Sequence, residues 1–299
     1  MNSLLKKDIV LPILNVTTII LLLITTTCGI FSFDTTRSYE IINQYGDKIK
    51  MWGSGIYAHD SFFKAPIFIG SDFTILVFVM PMAIVILWKM RKEQCTEYLV
   101  RSFGIWCALL YYSASLSFGV TYNNLHLLYI TVFGVCFYSV GILFTKLYAI
   151  GVRQEKVCVY PFTKGMRAFL LIAGISLFIA WLPDIVTSII NRTSLELIEV
   201  YTTEITYVLD MGIISPLMII TLCLLEQKSF IGYVLFRMIL KVCMVVGIML
   251  PIQSIFQLFG GISIPFPALI TKIFIFVILA VFAVYFEYFL KRKTQYMEA

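Results

Sequence analysis

Long apolar stretches alternate with short polar connections along the whole chain. A helix needs about 20 apolar residues to cross the hydrocarbon layer of a bilayer. Windows of roughly that length, bounded by charged or turn-forming residues, recur along the sequence. They cover residues 9–31, 70–90, 102–122, 126–148, 168–190, 210–227, 242–259 and 267–290. The pattern predicts an all-α fold, a polytopic membrane helix bundle with eight transmembrane helices.

Two connections are longer than the others, at 32–69 and 191–209. Both are too short for an independent soluble domain. In the first of them, Asp60 or Ser61 can cap a short helix over 62–69 that lies at the membrane interface. We expect this segment to form a lid over the outer face. The alternative is an ordinary amphipathic loop lying at the lipid headgroups.

Composition supports a single membrane domain over the whole chain, residues 1–299. Hydrophobic residues make up 60% and charged residues 13%, whereas soluble domains carry about 25% charged residues. A secreted disulfide-bonded scaffold is excluded because the seven cysteines form no C-x-x-C pair and fall in apolar windows or short loops. A nucleic-acid-binding protein is excluded because the net charge of +6 is not gathered into a basic stripe.

The positive charges fall mainly on one side of the predicted membrane. If the N terminus is cytoplasmic, most of the 23 lysines and arginines lie in connections on the cytoplasmic side. An excess of Lys and Arg in short loops marks the cytoplasmic side of a membrane protein. We therefore expect both termini in the cytoplasm and the two long connections outside.

The chain contains a candidate internal duplication. Pro81 and Pro216 are 135 residues apart, and the first tyrosines that follow them after a short loop have the same offset. Four spans per half is an even number, so the halves 1–149 and 150–299 would share one orientation as a parallel repeat. The alternative is that any two apolar helices with a proline look alike.

Polar side chains occur inside several windows, and most lie in the outer part of the predicted bundle. A charged side chain within a span costs about 2.5 kcal/mol or more, so such groups normally face protein or water. At a helical rise of about 1.5 Å per residue, some of them share a level roughly 8 Å below the outer interface. These are Ser117, Asp184, Gln253 and Lys272. Nearer the outer surface lie Asp72, Asn123, His126 and Asp210.

This coincidence in depth predicts a polar pocket that opens to the outside, with all eight side chains as candidate ligand-binding residues. Asp184 and Lys272 would form an opposed pair at its floor. The alternative is that these two are a structural pair or interface-level charges, and that their polar neighbours belong to the interfacial belt. The cytoplasmic half is expected to be apolar except for Glu287, which can pair with Lys291 four residues later or extend its carboxylate to the membrane interface.

Catalytic and cofactor motifs are absent from the sequence. It has no G-x-S-x-G elbow, no H-E-x-x-H and no glycine-rich phosphate loop. The two histidines, His59 and His126, both fall on the predicted outer side. The sequence therefore predicts no catalytic residue, no metal site and no cofactor.

A combination of short motifs resembles a known group of proteins. The motifs lie in predicted spans 2 to 7 and the loops between them. They are Tyr57 with His59-Asp60-Ser61, Gly70-Ser71-Asp72, Tyr111-Tyr112, Phe118-Gly119 with Tyr122-Asn123, Leu127-Leu128-Tyr129, Trp181-Leu182-Pro183-Asp184, Val208-Leu209-Asp210, and Gly232-Tyr233-Val234-Leu235 with Lys241. Together they resemble a family of bacterial eight-span integral membrane proteins without an established activity. The resemblance implies the same topology and a bacterial cytoplasmic membrane location, but no activity.

The leading interpretation is a multi-pass membrane protein that binds or transports a small polar solute or a lipid headgroup in the outward-facing pocket. One alternative is a non-catalytic sensor or scaffold for a protein partner, and a second is a lipid-modifying membrane enzyme. A polar path to the cytoplasm would favour transport, and a closed pocket would favour sensing. A cavity open to lipid with His126 beside a carboxylate would favour the enzyme. Membrane lipids are the partner that all three interpretations share.

Overall fold

The computed structural model describes residues 9–93, 95–153, 160–263 and 266–297, without the side chains of 152–153, 266–272 and 294–297. Within these ranges, 8 helices are long and apolar enough to cross a membrane. They are α1 (Val10–Ile30), α2 (Ala65–Glu93), α3 (Thr96–Gly119), α4 (His126–Arg153), α5 (Lys164–Asn191), α6 (Ile205–Glu226), α7 (Phe230–Phe259) and α8 (Phe266–Met297). Each predicted window corresponds to one of these helices. The all-α polytopic bundle is therefore confirmed, and the chain is a multi-pass membrane protein.

Several helices extend well beyond the apolar windows. Helix α7 begins at Phe230 rather than near 242, because the charged side chains that interrupt its hydropathy are paired inside the bundle. Helix α2 begins at Ala65, so the separate interfacial helix expected over 62–69 does not form. Pro66 occupies the first turn of α2, where its missing N–H leaves no helical hydrogen bond unmade.

Two spans contain a widened, π-helical turn before a proline. In α2 this turn covers Ile75–Val79, and in α6 it covers Asp210–Ile214. Pro81 and Pro216 each follow two residues after it. Proline has no N–H and its ring displaces the carbonyl four residues earlier, so the preceding turn opens. The two π turns are 135 residues apart, the offset of the two prolines, while the repeat of whole halves stays a prediction.

The helices pack in a similar pattern within each group of four. Helix α2 packs on α1 and α3, and α6 packs on α5 and α7. Helix α3 packs on α4 as α7 does on α8, and the groups meet where α7 crosses α2 and α3. One pair differs, because α1 and α4 share a broad contact whereas α5 and α8 meet at few residues. Among these are Phe169 and Phe286, whose ring centroids are 5.6 Å apart.

Because the chain crosses the bundle eight times, the start of α1 and the end of α8 lie on the same side. We call this side the terminal side. The opposite side carries an antiparallel hairpin, β1 (Tyr39–Ile42) and β2 (Lys48–Met51), and we call it the hairpin side. Which side faces the cytoplasm stays the prediction made from the charges.

A cap closes the hairpin side. We define this hairpin cap as residues 39–64 and 195–204. The two segments are joined by several hydrogen bonds, among them one from Asn43 Nδ2 to the Glu199 carbonyl oxygen at 2.8 Å. Trp52 is fully buried within it and donates from Nε1 to the Ser32 carbonyl oxygen at 2.8 Å. The hairpin cap is thus built from both long connections, and the lid expected from the first of them stays a prediction.

Candidate ligand cavity

A cavity of about 220 Å³ lies between α2, α3, α5, α6, α7 and α8. It runs from the hairpin cap to the middle of the bundle. Lys64 and Glu204 line it at the hairpin side, and Asp210 and Gln253 lie further in. Its deepest part is lined by apolar side chains, including Met218, Val242, Phe276 and Leu279. The cavity therefore has a polar end toward the hairpin side and an apolar end at mid-bundle.

Asp210 is the charged group deepest in the cavity among the side chains described. It is the first residue of the π turn in α6, and 6% of the residue is exposed. Its Oδ1 accepts a hydrogen bond from Tyr111 Oη at 2.8 Å, and its Oδ2 accepts one from Trp181 Nε1 at 3.0 Å. Helices α3, α5 and α6 are thus joined at this carboxylate.

A second polar pair lies where α2 meets α7. Gln253 Nε2 donates to Ser71 Oγ at 2.7 Å, and Ser71 Oγ donates in turn to the Ile67 carbonyl oxygen at 2.8 Å. A side chain at Gly70 would collide with the backbone of Gln253. Glycine at this position therefore lets the two helices approach closely enough for the pair to form.

An ion pair marks the mouth of the cavity. Lys64, just before α2, pairs with Glu204, just before α6, and both side chains are largely buried. The Lys64 ammonium also lies over the Tyr201 ring, 4.2 Å from its centroid. This contact joins the two segments of the hairpin cap directly above the cavity.

Asp60 and Glu199 hold the same two segments together behind the mouth. Asp60 Oδ1 accepts hydrogen bonds from Tyr201 Oη and from the Thr121 backbone N–H, each at 3.0 Å. Burial raises the pKa of Asp60 to about 7. Burial also raises the pKa of Glu199, which accepts a short hydrogen bond from Ser61 Oγ. These groups lie in the long loops, where hydropathy windows carry no signal.

Asp72 is at a comparable level in the first group of helices but does not line the cavity. The residue is fully buried, and its carboxylate accepts hydrogen bonds from Tyr57 Oη at 2.7 Å and from Tyr112 Oη. A side chain at Gly29 would collide with this carboxylate. The protein's own side chains therefore fill the space around Asp72.

The predicted pair at the pocket floor is not placed by the structure. Asp184 is exposed and accepts a hydrogen bond from Tyr207 Oη at 2.6 Å. It does not line the cavity, although Tyr207 does. The Lys272 side chain lies outside the described residues, so its pairing with Asp184 stays a prediction.

Three other predicted residues gather around the connection between α3 and α4, away from the cavity lining. Ser117 Oγ donates to the Tyr129 carbonyl oxygen at 2.8 Å. Asn123 Oδ1 accepts from the Leu125 backbone N–H at 2.9 Å, which shapes the turn. His126 is the first residue of α4. Of the eight candidates, Asp210 and Gln253 are thus the ones seen in the cavity wall.

The expectation of an apolar terminal side with one exception at Glu287 is wrong. Glu287 binds Arg237 Nε at 2.7 Å and Lys241 Nζ at 2.8 Å, both on α7, rather than Lys291. Arg237 is 1% exposed and also binds Glu97 on α3 at 2.8 Å. We call these four residues the terminal charge cluster. Its members lay at the ends of apolar windows in the sequence, and partners on different helices could not be assigned from spacing.

The residues that the structure describes contain neither a metal-binding cluster nor a disulfide bond. Within those ranges, no group of three or more His, Cys, Asp or Glu side chains could hold a metal ion. The described cysteines, 28, 95, 107, 136, 223 and 243, are free thiols.

Comparison with known proteins gives no family. No protein-family profile matches the chain, and no curated protein or solved structure matches it. The resemblance to bacterial eight-span proteins stays a prediction.

Proposed function

We propose that this multi-pass membrane protein binds an amphiphilic small molecule, a lipid or a lipid-like solute, in the cavity below the hairpin cap. The observation that carries the proposal is the distribution of side chains in the cavity wall. Asp210 and Gln253 lie toward the hairpin side, and Met218, Val242 and Phe276 lie toward the middle of the bundle. A ligand with one polar end and one apolar end would match both parts. Pockets of this kind, mostly apolar with a few convergent polar groups, are typical of small-molecule sites.

The cavity volume sets the size of the bound group. An apolar cavity of about 150 Å³ holds one benzene molecule, so a cavity of about 220 Å³ holds a ring-sized or headgroup-sized group rather than a complete membrane lipid. The rest of the ligand would extend between α5 and α8. Both helices line the cavity, and they contact each other at few residues.

The apolar floor of the cavity favours ligand binding over transport, because transport of a polar solute would need a polar path through the bundle. Between Asp210 and the terminal charge cluster, the described lining residues include Met218, Val242 and Leu279. His126, which the enzyme interpretation placed beside a carboxylate, is at the connection between α3 and α4. Binding, as in a sensor or a lipid-associated membrane protein, is therefore the function we propose before transport or catalysis.

Trp181 provides a direct test because its indole lines the cavity. Brominated alkyl chains quench tryptophan fluorescence on contact, so single-chain probes with an ammonium, hydroxyl or carboxylate head can report occupancy. The measurement would use a Trp88→Phe background, since Trp88 is 59% exposed on the helix surface. We expect saturable quenching by at least one probe, and loss of that component in Trp181→Phe.

A matched pair of variants separates cavity binding from general partitioning into detergent or lipid. Val246→Phe would fill the cavity, because Val246 lines it. Ile248→Phe adds the same ring to the exposed face of the same helix. We expect Val246→Phe alone to reduce the saturable quenching. Equal quenching in both variants, or none by any probe in the parent protein, would contradict the proposed function.

A further inference from the structure

We propose that the polar end of the ligand is an organic ammonium group that binds at Asp210. The inference rests on the proposed function, because it names the chemical class that the same cavity would take. Three features of the cavity wall support this inference. They are the hydrogen bonds that its polar groups already make, the charges of its side chains and the aromatic rings beside Asp210.

Several donors in the cavity wall are already in use. Tyr111 and Trp181 donate to Asp210 itself, and the Gln253 amide donates to Ser71. The Ser71 hydroxyl donates to a backbone carbonyl, and so does that of Ser115, at 3.1 Å. A carboxylate has about four lone-pair positions, and two described donors occupy those of Asp210. Asp210 therefore keeps acceptor capacity among the described residues, and this favours a ligand group that donates hydrogen bonds.

The charges point in the same direction. Lys64 and Glu204 neutralise each other at the cavity mouth. Asp210, in contrast, receives hydrogen bonds from two neutral donors among the described side chains, Tyr111 and Trp181. Among the lining side chains that the structure describes, Lys64 is the one cation, and it already has an anionic partner. An ammonium group would supply Asp210 with a counter-charge, an interaction that is stronger in a low-dielectric interior than in water.

Aromatic faces complete the environment. The rings of Trp181 and Tyr207 stack with centroids 4.8 Å apart and planes at 23°, and both residues line the cavity with Tyr111. Cations are attracted to the faces of such rings, most strongly to that of tryptophan. A carboxylate next to aromatic side chains recognises an organic cation better than it does a neutral head of the same size.

Asp72 is a useful comparison for Asp210. It also accepts two side-chain hydrogen bonds, but it is fully buried and enclosed by their donors, Tyr57 and Tyr112. Asp210 differs because it lines a cavity. The inference therefore depends on the space beside the carboxylate as well as on its charge.

The test compares the three brominated probes, which share one chain and differ in the head. We expect the ammonium probe to bind about tenfold or more tightly than the alcohol, a difference of one decade in Kd, and the carboxylate probe to bind most weakly. Because this comparison is made on the parent protein, it does not depend on a variant folding. Equal affinities for all heads would overturn the ammonium inference while leaving the proposed function intact. Tightest binding of the carboxylate probe would overturn it in the same way.

Two variants then test whether the preference for the ammonium head depends on Asp210. We expect Asp210→Asn to keep chain-dependent quenching and to lose the preference for the ammonium head. Asp184→Asn is the matched control, since Asp184 is a carboxylate bonded to Tyr207 that does not line the cavity. Its head preference should be unchanged. A preference that survives in Asp210→Asn, or disappears in Asp184→Asn, would contradict the assignment.

The ammonium group could come from a membrane lipid or from a dissolved amine. Competition against the bound ammonium probe distinguishes these two sources. Vesicles containing an amino-headgroup lipid test a membrane source, with choline-free anionic lipid vesicles as the control. Short dissolved alkylamines test a soluble source. We expect displacement by one of the two amine arms and not by the anionic vesicles. Displacement by the anionic vesicles alone would overturn the inference.

Discussion

The two groups of helices each contain a buried aspartate, and the surroundings of the two aspartates differ. In the first group, Asp72 accepts hydrogen bonds from Tyr57 and Tyr112 and is fully buried. In the second, Asp210 also accepts from two aromatic side chains but lines a cavity. A carboxylate within a span is therefore not by itself a sign of a ligand site. What distinguishes the second position is the cavity beside the carboxylate, in a group whose α5 and α8 contact each other at few described residues whereas α1 and α4 share a broad contact.

The largest loss of stability is expected from the terminal charge cluster. This cluster joins α3, α7 and α8, and so supports the surroundings of both aspartates. Arg237→Met leaves the largely buried Glu287 with Lys241 and the partly exposed Glu97 with Arg101 as their remaining cations. We expect a loss of about 3–5 kcal/mol, as for other broken buried ion pairs. Thermal unfolding in detergent would measure it.

Its control is Arg167→Met, which removes a half-exposed pair with Glu226. Exposed pairs contribute about 0–1 kcal/mol, so the unfolding temperature should change little. Similar losses in the two variants would show that the cluster does not support the bundle.

The next effect separates the two aspartates directly. Asp72→Ala leaves the hydroxyl of Tyr57, which is fully buried and does not line the cavity, without its acceptor, at a cost of about 1–3 kcal/mol. Asp210→Ala should cost less, because water in the cavity can take over the hydrogen bonds of Tyr111 and Trp181. Thermal unfolding of the two variants side by side measures the difference. A larger loss for Asp210→Ala would reverse the comparison.

A smaller effect tests how tightly the first environment is filled. Gly29→Ala places a methyl group against the Asp72 carboxylate, and overpacking of this kind costs about 1–3 kcal/mol. Gly134→Ala is the matched helical control, since no atom lies within 4 Å of the added carbon. We expect the unfolding temperature to fall in Gly29→Ala and to stay level or rise in Gly134→Ala. No difference between them would mean that the Asp72 site has room to adapt.

The last effect concerns pH and the hairpin cap. The pKa of Asp60 is raised by burial from 3.8 to about 7, so the folded cap binds this proton more tightly than the unfolded chain does. Stability from this group is therefore complete below about pH 4, falls as pH rises toward about 7, and is level above that. Glu199, whose pKa is also raised, acts in the same direction, while Lys64 opposes the shift at Asp60.

Hydrogen exchange of the cap amides, corrected for the intrinsic effect of pH, would measure this loosening between pH 5 and pH 8. We expect Asp60→Asn to reduce the pH dependence. A cap equally protected at both values in the parent protein would contradict the assignment.

The sequence predicts the helices because the bilayer dictates their length and polarity. It misplaces the start of α7, because Arg237 and Lys241 end a hydropathy window but are paired inside the fold. It predicts Asp210 and Gln253 as site residues from depth alone. Depth also selects Asp184, which lies on an exposed face. The rise along a helix gives the level of a side chain but not its direction around the axis, which packing decides.

Tyr111 and Tyr112 are neighbours on α3, yet one donates to Asp210 and the other to Asp72. Successive residues on an α-helix point about 100° apart, so a single rod carries one hydroxyl toward each group of helices. A rotation of α3 that withdraws one hydroxyl must also displace the other. The enclosed aspartate and the one that lines the cavity are thus bonded to neighbouring side chains of a single helix, so a rotation of α3 would change the surroundings of both.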